Sequence, residues 1–315
     1  MVKRNIRTLN KNLDINKMAK VKCEVYDKTK KYLSCQDIVF RKVDYIHALL
    51  LMNGALGFTK KVKLFFSYLF KLTCDLEFLS CGVYVSRDFE KTYDGIKREI
   101  SEIYGAANTI IIALKQFSQK SIFPFNVSSK GMKPDFIAED SAGHQFLFES
   151  KGSIYKVKTS DVDKSIKQIN KILFSKNGAF SAGYSVISDF NSNSSKPLSI
   201  RIYDPRPDDF VFTKISFEKE LNLYRECVCN IIDDKSKKSL ILSFNDKKYI
   251  CITISLSKDE KLIFGIDKEL YYEHRSYCYQ KEDFCSIKDN VLNRNVLEEE
   301  TFDDGLYLKI LKEHD

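Results

Sequence analysis

The chain has little of what marks thiolate-metal, histidine-metal or phosphate-cradle chemistry. None of its nine cysteines forms a Cys-x-x-Cys pair, so the tight turn that supplies two ligands of a zinc ribbon, or both thiols of a thioredoxin-type centre, is missing. Reduced, mostly buried thiols are expected instead. Only four histidines occur, at 47, 144, 274 and 314, and none belongs to a His-Glu-x-x-His array. The 12 glycines form no phosphate-binding loop, so an ATP-driven step would need a partner. The longest apolar run, Tyr45 to Phe58, is broken by His47, Asn53, Gly54 and Gly57 and falls short of the ~18–20 residues of a membrane span. It reads as a buried helix, with no membrane association. The N-terminus has no apolar leader segment, which makes the cytoplasm the expected location.

What is present is the balance of a folded protein: 43% hydrophobic residues and 51 Lys plus Arg against 43 Asp plus Glu, a formal charge of +8 over 315 residues. That sign favours phosphate-rich partners. The length suits a central domain with attachments. Three regions are expected: 1–90, mainly helical; 91–208, a core; and 209–315, an α+β extension. Residues 1–22 carry seven basic side chains, Lys3 to Lys22, against Asp14 alone, and read as a solvated basic arm.

The core has a definite order. Ile96, Ile100, Ile103, Ala107, Ile111, Leu114 and Phe117 recur at the three-and-four spacing of an amphipathic helix. Strand-like runs follow at 134–138 (PDFIA) and 145–151 (QFLFESK), separated by EDSAGH, a hairpin-loop composition. A second amphipathic helix spans Asp161 to Phe174, and strands are expected at 182–188 and 198–204. The fold class is therefore α/β in the core and α+β overall, with a mixed central sheet flanked by helices.

The hairpin carries the chemistry. Because strand side chains alternate, Glu149 and Lys151 share one face while Phe148 and Ser150 share the other. If Asp135 projects onto the first face, two carboxylates and an ammonium converge. Two hard oxygen ligands side by side suit Mg²⁺, which offsets their mutual repulsion. A second Pro-Asp and Asp-x-Lys match, Pro207-Asp208 with Asp233-Asp234-Lys235, lacks a strand pair to bring its acids together.

Pro134-Asp135, Glu149-Ser150-Lys151 and the helix–hairpin–helix–strand order resemble the PD-(D/E)xK nuclease superfamily, the restriction-endonuclease-like fold, over roughly residues 91–206. The resemblance implies that Asp135, Glu149 and the Ser150 backbone carbonyl hold Mg²⁺, for which Mn²⁺ substitutes, and that Lys151 helps activate water. It also implies a glutamate from the preceding helix. Helical geometry favours Glu99, at the flank of the apolar face, whereas the Ser-Glu-x-x-Gly context favours Glu102. On the following helix Gln168 matches a position that some branches use, although Ile172 replaces their usual tyrosine. Gln168 shares a face with Lys164, Lys167 and Lys171, which with Lys156 and Lys158 are candidates for following a phosphate backbone.

The function implied is Mg²⁺-dependent cleavage of nucleic acid, double-stranded DNA first, by an endonuclease of a prokaryotic restriction or anti-phage system. A homodimer or a partner subunit is compatible with it. Two alternatives stay open at this point: an RNA nuclease, and a nucleic-acid-binding or assembly subunit that keeps the fold without turnover.

Overall fold

The computed structural model describes residues 18–27, 29–52, 58–125, 134–155, 157–173, 180, 182–191, 195–204, 218–233, 239–275, 285–286 and 296–312. The elements follow in chain order as β1 (Ala19–Asp27), β2 (Tyr32–Phe40), α1 (Lys42–Met52), α2 (Phe58–Asp75), β3 (Leu76–Leu79), β4 (Gly82–Val85) and α3 (Arg87–Lys91). Next come α4 (Asp94–Gln116), β5 (Gln119–Pro124), β6 (Phe136–Asp140), β7 (Gln145–Ser153), α5 (Thr159–Leu173), β8 (Ala182–Asp189) and β9 (Ser199–Asp204). The remainder is α6 (Glu218–Ile232), β10 (Leu240–Phe244), β11 (Lys247–Ser255), β12 (Glu260–Asp267), α7 (Lys268–Arg275), β13 (Cys285–Ser286), β14 (Val296–Thr301) and β15 (Leu306–Lys312). The class is mixed α+β. Among the described residues no helix is long and apolar enough to cross a membrane.

Seven strands form the central sheet in the order β2-β1-β9-β8-β7-β6-β5. β5, β6 and β7 make an antiparallel meander. Two hairpin-linked strands cannot be parallel, so the parallel pairing of β7 with β8 requires a crossover, and α5 supplies it. β7 is covered on both sides. Its Phe148 ring lies 5.8 Å from Phe117 at the end of α4, while Leu147 clusters with Ile169 of α5. Alternation then assigns Phe146, Phe148, Ser150 and Gly152 to the α4 side and Leu147, Glu149 and Lys151 to the α5 side.

The contact between α4 and β7 is unusually close, and two glycines permit it. A Cβ on Gly152 would sit 1.7 Å from the Ser101 carbonyl oxygen, and one on Gly105 would sit 2.6 Å from the Gly152 Cα. Three residues beyond Gly105, the buried Asn108 accepts a hydrogen bond from the Tyr45 hydroxyl and donates to Ser188 Oγ at 3.0 Å. One polar side chain thus links α1, α4 and β8, with both its ends satisfied.

In the segment 1–90, expected to be mainly helical, α1 and α2 are preceded by two strands that were not expected there, β1 and β2. β1 enters the central sheet parallel to β9 and β2 extends it as the edge. The physical reason is a period of two hidden among lysines. Lys20 and Lys22 point to solvent while Ala19, Val21 and Cys23 are buried, so lysines assigned to a basic arm are the outer face of a strand. α1 covers the first part of the buried helix expected at 45–58, of which residues 53–57 lie outside the described residues, and its residues from Val43 to Leu51 are all buried, Asp44 and His47 included.

The C-terminal region is a second sheet in the order β13-β10-β11-β12-β15-β14. Polar contacts tie it to α1 and the residue before it: the ion pairs of Arg41 with Glu300 at 2.5 Å and of Lys42 with Glu260 at 2.7 Å, and a hydrogen bond between His47 Nε2 and Asp304 Oδ2 at 2.6 Å. Arg41 also holds Asp44 at 2.8 Å, and Asp44 in turn takes Lys115 of α4 at 2.5 Å.

Candidate active site

Asp135 lies immediately before β6, and its Oδ2 accepts a hydrogen bond from the Ser150 backbone N–H at 2.8 Å. This bond crosses from the head of one strand to the end of the next and fixes the Asp135 carboxyl beside Glu149. Glu149 is wholly buried. Lys151 Nζ donates to Glu149 Oε1, the Gln168 side chain reaches the same carboxylate from α5, and Glu149 Oε2 is buried without a hydrogen-bond partner. The three side chains expected to converge therefore do so.

Electrostatics follow from that crowding. Burial, and after it the charge of Asp135, push the Glu149 carboxyl up to about 7 against the opposing pull of Lys151 and Gln168. Burial also raises Asp135, countered by the Ser150 N–H and by Lys151. Asp135 retains an exposed surface and the Lys151 side chain is 34% exposed, so both stand at the mouth while Glu149 forms the floor. Two neighbouring carboxylates, of which Asp135 raises the proton affinity of Glu149 and Glu149 keeps a dehydrated, unpartnered oxygen, form a seat short of positive charge.

The helix glutamates are not part of this seat. α4 covers the opposite side of β7, and Glu99 turns toward α2, 3.7 Å from Lys71 and 63% exposed. The helical geometry that favoured Glu99 took the packed face as leading to the site, but that face leads to Gly152 and Phe148. Glu102 is exposed as well. Among the described residues no group of three or more His, Cys, Asp or Glu side chains is placed to hold a metal ion.

Gln168 leaves the lysine stripe in which the sequence put it. It is half-buried, whereas Lys158, Lys164 and Lys167 are exposed. The chain approaches closely here because Ser165 of α5 and Ser185 of β8, both buried, hydrogen-bond each other, and Ser185 is the register partner of Glu149. This serine pair was missed in the sequence, where its signal was a small residue on the apolar face between Val162 and Ile169. Lys156 and the Lys171 side chain lie outside the described residues. So do Pro207, Asp208, Asp234 and Lys235 of the competing match, while Asp233 is taken by Arg275 at 2.8 Å.

Comparison with protein-family models, with curated proteins and with solved structures returned no match.

Proposed function

We propose that the chain is a divalent-metal-dependent phosphodiester hydrolase acting on nucleic acid, with double-stranded DNA as the first substrate to test, and that its core is of the PD-(D/E)xK kind. The observation that carries the reading is the Glu149 carboxylate: buried, short of one hydrogen-bond partner, and joined by Asp135 and Lys151 from the same hairpin. The order α4, the β5–β6–β7 meander, α5, then β8 parallel to β7 supports it, since the resemblance rests on helix, hairpin, helix and strand in that sequence. A structural ion pair alone would not require a second carboxyl, tied to the Ser150 N–H, at the same place.

The residues fit Mg²⁺ or Mn²⁺, both of which favour oxygen donors and keep several waters. Asp135 and Glu149 would hold the ion, with the Ser150 carbonyl as the third protein oxygen implied by the resemblance. Bound there, it would supply Lewis-acid polarisation of a phosphoryl oxygen. The chain's own part is positional. The Ser150 N–H orients Asp135, Gln168 and Lys151 orient Glu149, and the partly exposed Lys151 ammonium offers its remaining N–H donors to the oxygens around phosphorus. In hydrolysis a water oxygen bonds to phosphorus as one P–O ester bond breaks, and negative charge accumulates on those oxygens. A fixed ammonium is worth most at that moment. Exposed Lys158, Lys164 and Lys167 lie on the α5 side and suit sequence-independent contact with phosphates.

Cleavage of plasmid and of labelled oligonucleotides with Mg²⁺, with Mn²⁺ and with EDTA tests the reading. Lys151→Ala is expected to lower the cleavage rate at least a hundredfold while binding of duplex DNA in EDTA changes less than threefold. Cleavage by Lys151→Ala at the wild-type rate would end the proposal. Gln168→Ala is expected to be milder, about tenfold in rate, with a lower Mn²⁺ affinity by calorimetry, because second partners of metal-holding groups act at that scale. An unchanged Mn²⁺ affinity would remove Gln168 from the site.

A further inference from the structure

A cavity of about 510 Å³ lies apart from the carboxylate site, where α1, α4 and β5 meet α6 and the β14–β15 turn. We propose that it is a binding site for a small phosphorylated nucleoside. The inference does not depend on the hydrolase reading.

Its construction is that of a site rather than of a packing gap. Three side chains that line it keep a buried polar atom without a hydrogen-bond partner among the described residues: His47 Nδ1, Gln119 Oε1 and Arg225 Nε. Buried polar atoms are normally satisfied, so three around one cavity are unusual. The backbone is bent at the same place. Ser118, a non-glycine residue, has φ of +48°, and the ladder between β5 and β6 shifts register between Gln119 and Ser121. The bulge breaks strict alternation, so Gln119, Lys120 and Ser121 all line the cavity. Bulges and left-handed non-glycine residues gather where a side chain must be aimed.

The ligand class follows from the walls. The cations Arg41 and Lys115 are already held by Asp44 and Glu300, whereas no ion pair of the described residues involves Lys120 or Arg225. Those two cations call for an anion such as phosphate. Of the other carboxylates in the wall, Asp304 is taken by His47 and one Glu139 oxygen accepts from Gln145 Nε2 at 3.2 Å; the second Glu139 oxygen and Asp303 supply acceptors for hydroxyl and amino donors, which a sugar and a base edge carry. Part of the lining is apolar, formed by Leu51, Ile111, Leu114, Phe123, Leu221 and Phe302, with the Phe302 ring 3.9 Å from the His47 ring, and suits the face of a heteroaromatic ring. A bare anion would waste the acceptors and the apolar wall, and an apolar ligand would leave the cations unpaired. The volume is within the usual range of small-molecule sites, ~300–1,000 Å³.

The test is calorimetric titration of the full chain in EDTA with adenosine monophosphate, guanosine monophosphate, adenosine and inorganic phosphate. At least one nucleotide is expected to bind at least tenfold more tightly than either adenosine or phosphate. Lys120→Ala, at an exposed position, is expected to weaken it about tenfold, the loss of one charge-assisted hydrogen bond, at an unchanged melting temperature. Asp135→Asn should bind as wild type does. The proposal is overturned if neither nucleotide binds at 5 mM, if Lys120→Ala binds equally well, if phosphate alone matches the nucleotides, or if Asp135→Asn abolishes binding, which would place the ligand at the carboxylates.

Discussion

Glu149→Gln is expected to abolish metal-dependent cleavage, by at least a thousandfold, and at the same time to raise thermal stability at alkaline pH. Both follow from one buried carboxyl. In the unfolded chain a glutamate titrates near 4.5, and in the folded chain this one titrates at about 7. The native state therefore holds a proton that the unfolded state has lost across that interval, so this group's contribution to stability declines as pH rises from about 4.5 through 7. Glutamine keeps the shape and has no charge to desolvate. The variant should match wild type near pH 5 and exceed it by about 1–3 kcal/mol at pH 8, read as a melting temperature higher by a few degrees. Mg²⁺ or Mn²⁺ should raise the wild-type melting temperature and leave that of the variant unmoved. Melting curves at pH 5 and 8 with and without metal decide the matter. Equal pH profiles for the two proteins would mean that Glu149 is not held dehydrated in the fold, and an unaltered cleavage rate would remove it from catalysis.

The second large effect is structural. In Gly152→Ala the new methyl group would stand 1.7 Å from the Ser101 carbonyl oxygen, a helix backbone atom that no rotamer change can move aside. α4 must lift from β7 along with the Gly105 contact, and a destabilisation of at least about 3 kcal/mol is expected, with denaturant unfolding as the measurement. Gly95→Ala is the control. Its Cβ would meet the Tyr93 ring at 2.8 Å, but that tyrosine is 78% exposed and free to turn away, so the change should be neutral or stabilising by up to ~1 kcal/mol through helix propensity. Similar losses at both positions would mean that α4 and β7 are not in intimate contact.

The central elements were readable because each kept one clean period. The helix expected over 96–117 is α4, the one over 161–174 is α5, and the runs at 134–138, 145–151, 182–188 and 198–204 fall on β6 to β9. The meeting of Asp135, Glu149 and Lys151 was readable too, since alternation fixes which side of β7 a residue occupies. Less was readable where a side chain's destination depends on a partner element. Glu99 turned to Lys71 because α2 lies beside α4, and nothing within α4 reports that. Gln168 left its lysine neighbours because the Ser165–Ser185 contact draws α5 toward the sheet. β12, β14 and β15 were unrecognised, and in β15 (LYLKILK) the buried Lys309 interrupts the apolar pattern while pairing with Glu299 at 3.1 Å.

The seat of β1 between β2 and β9 sets a timetable for synthesis. Lys22 is in register with Ser199, about 180 residues later, so during translation the β1–β2 hairpin has no sheet to join until β9 has left the ribosome. At ~5–20 residues per second that interval is on the order of ten to forty seconds. Through it the apolar side of β1 (Ala19, Val21, Cys23) waits for the sheet that buries it in the folded chain.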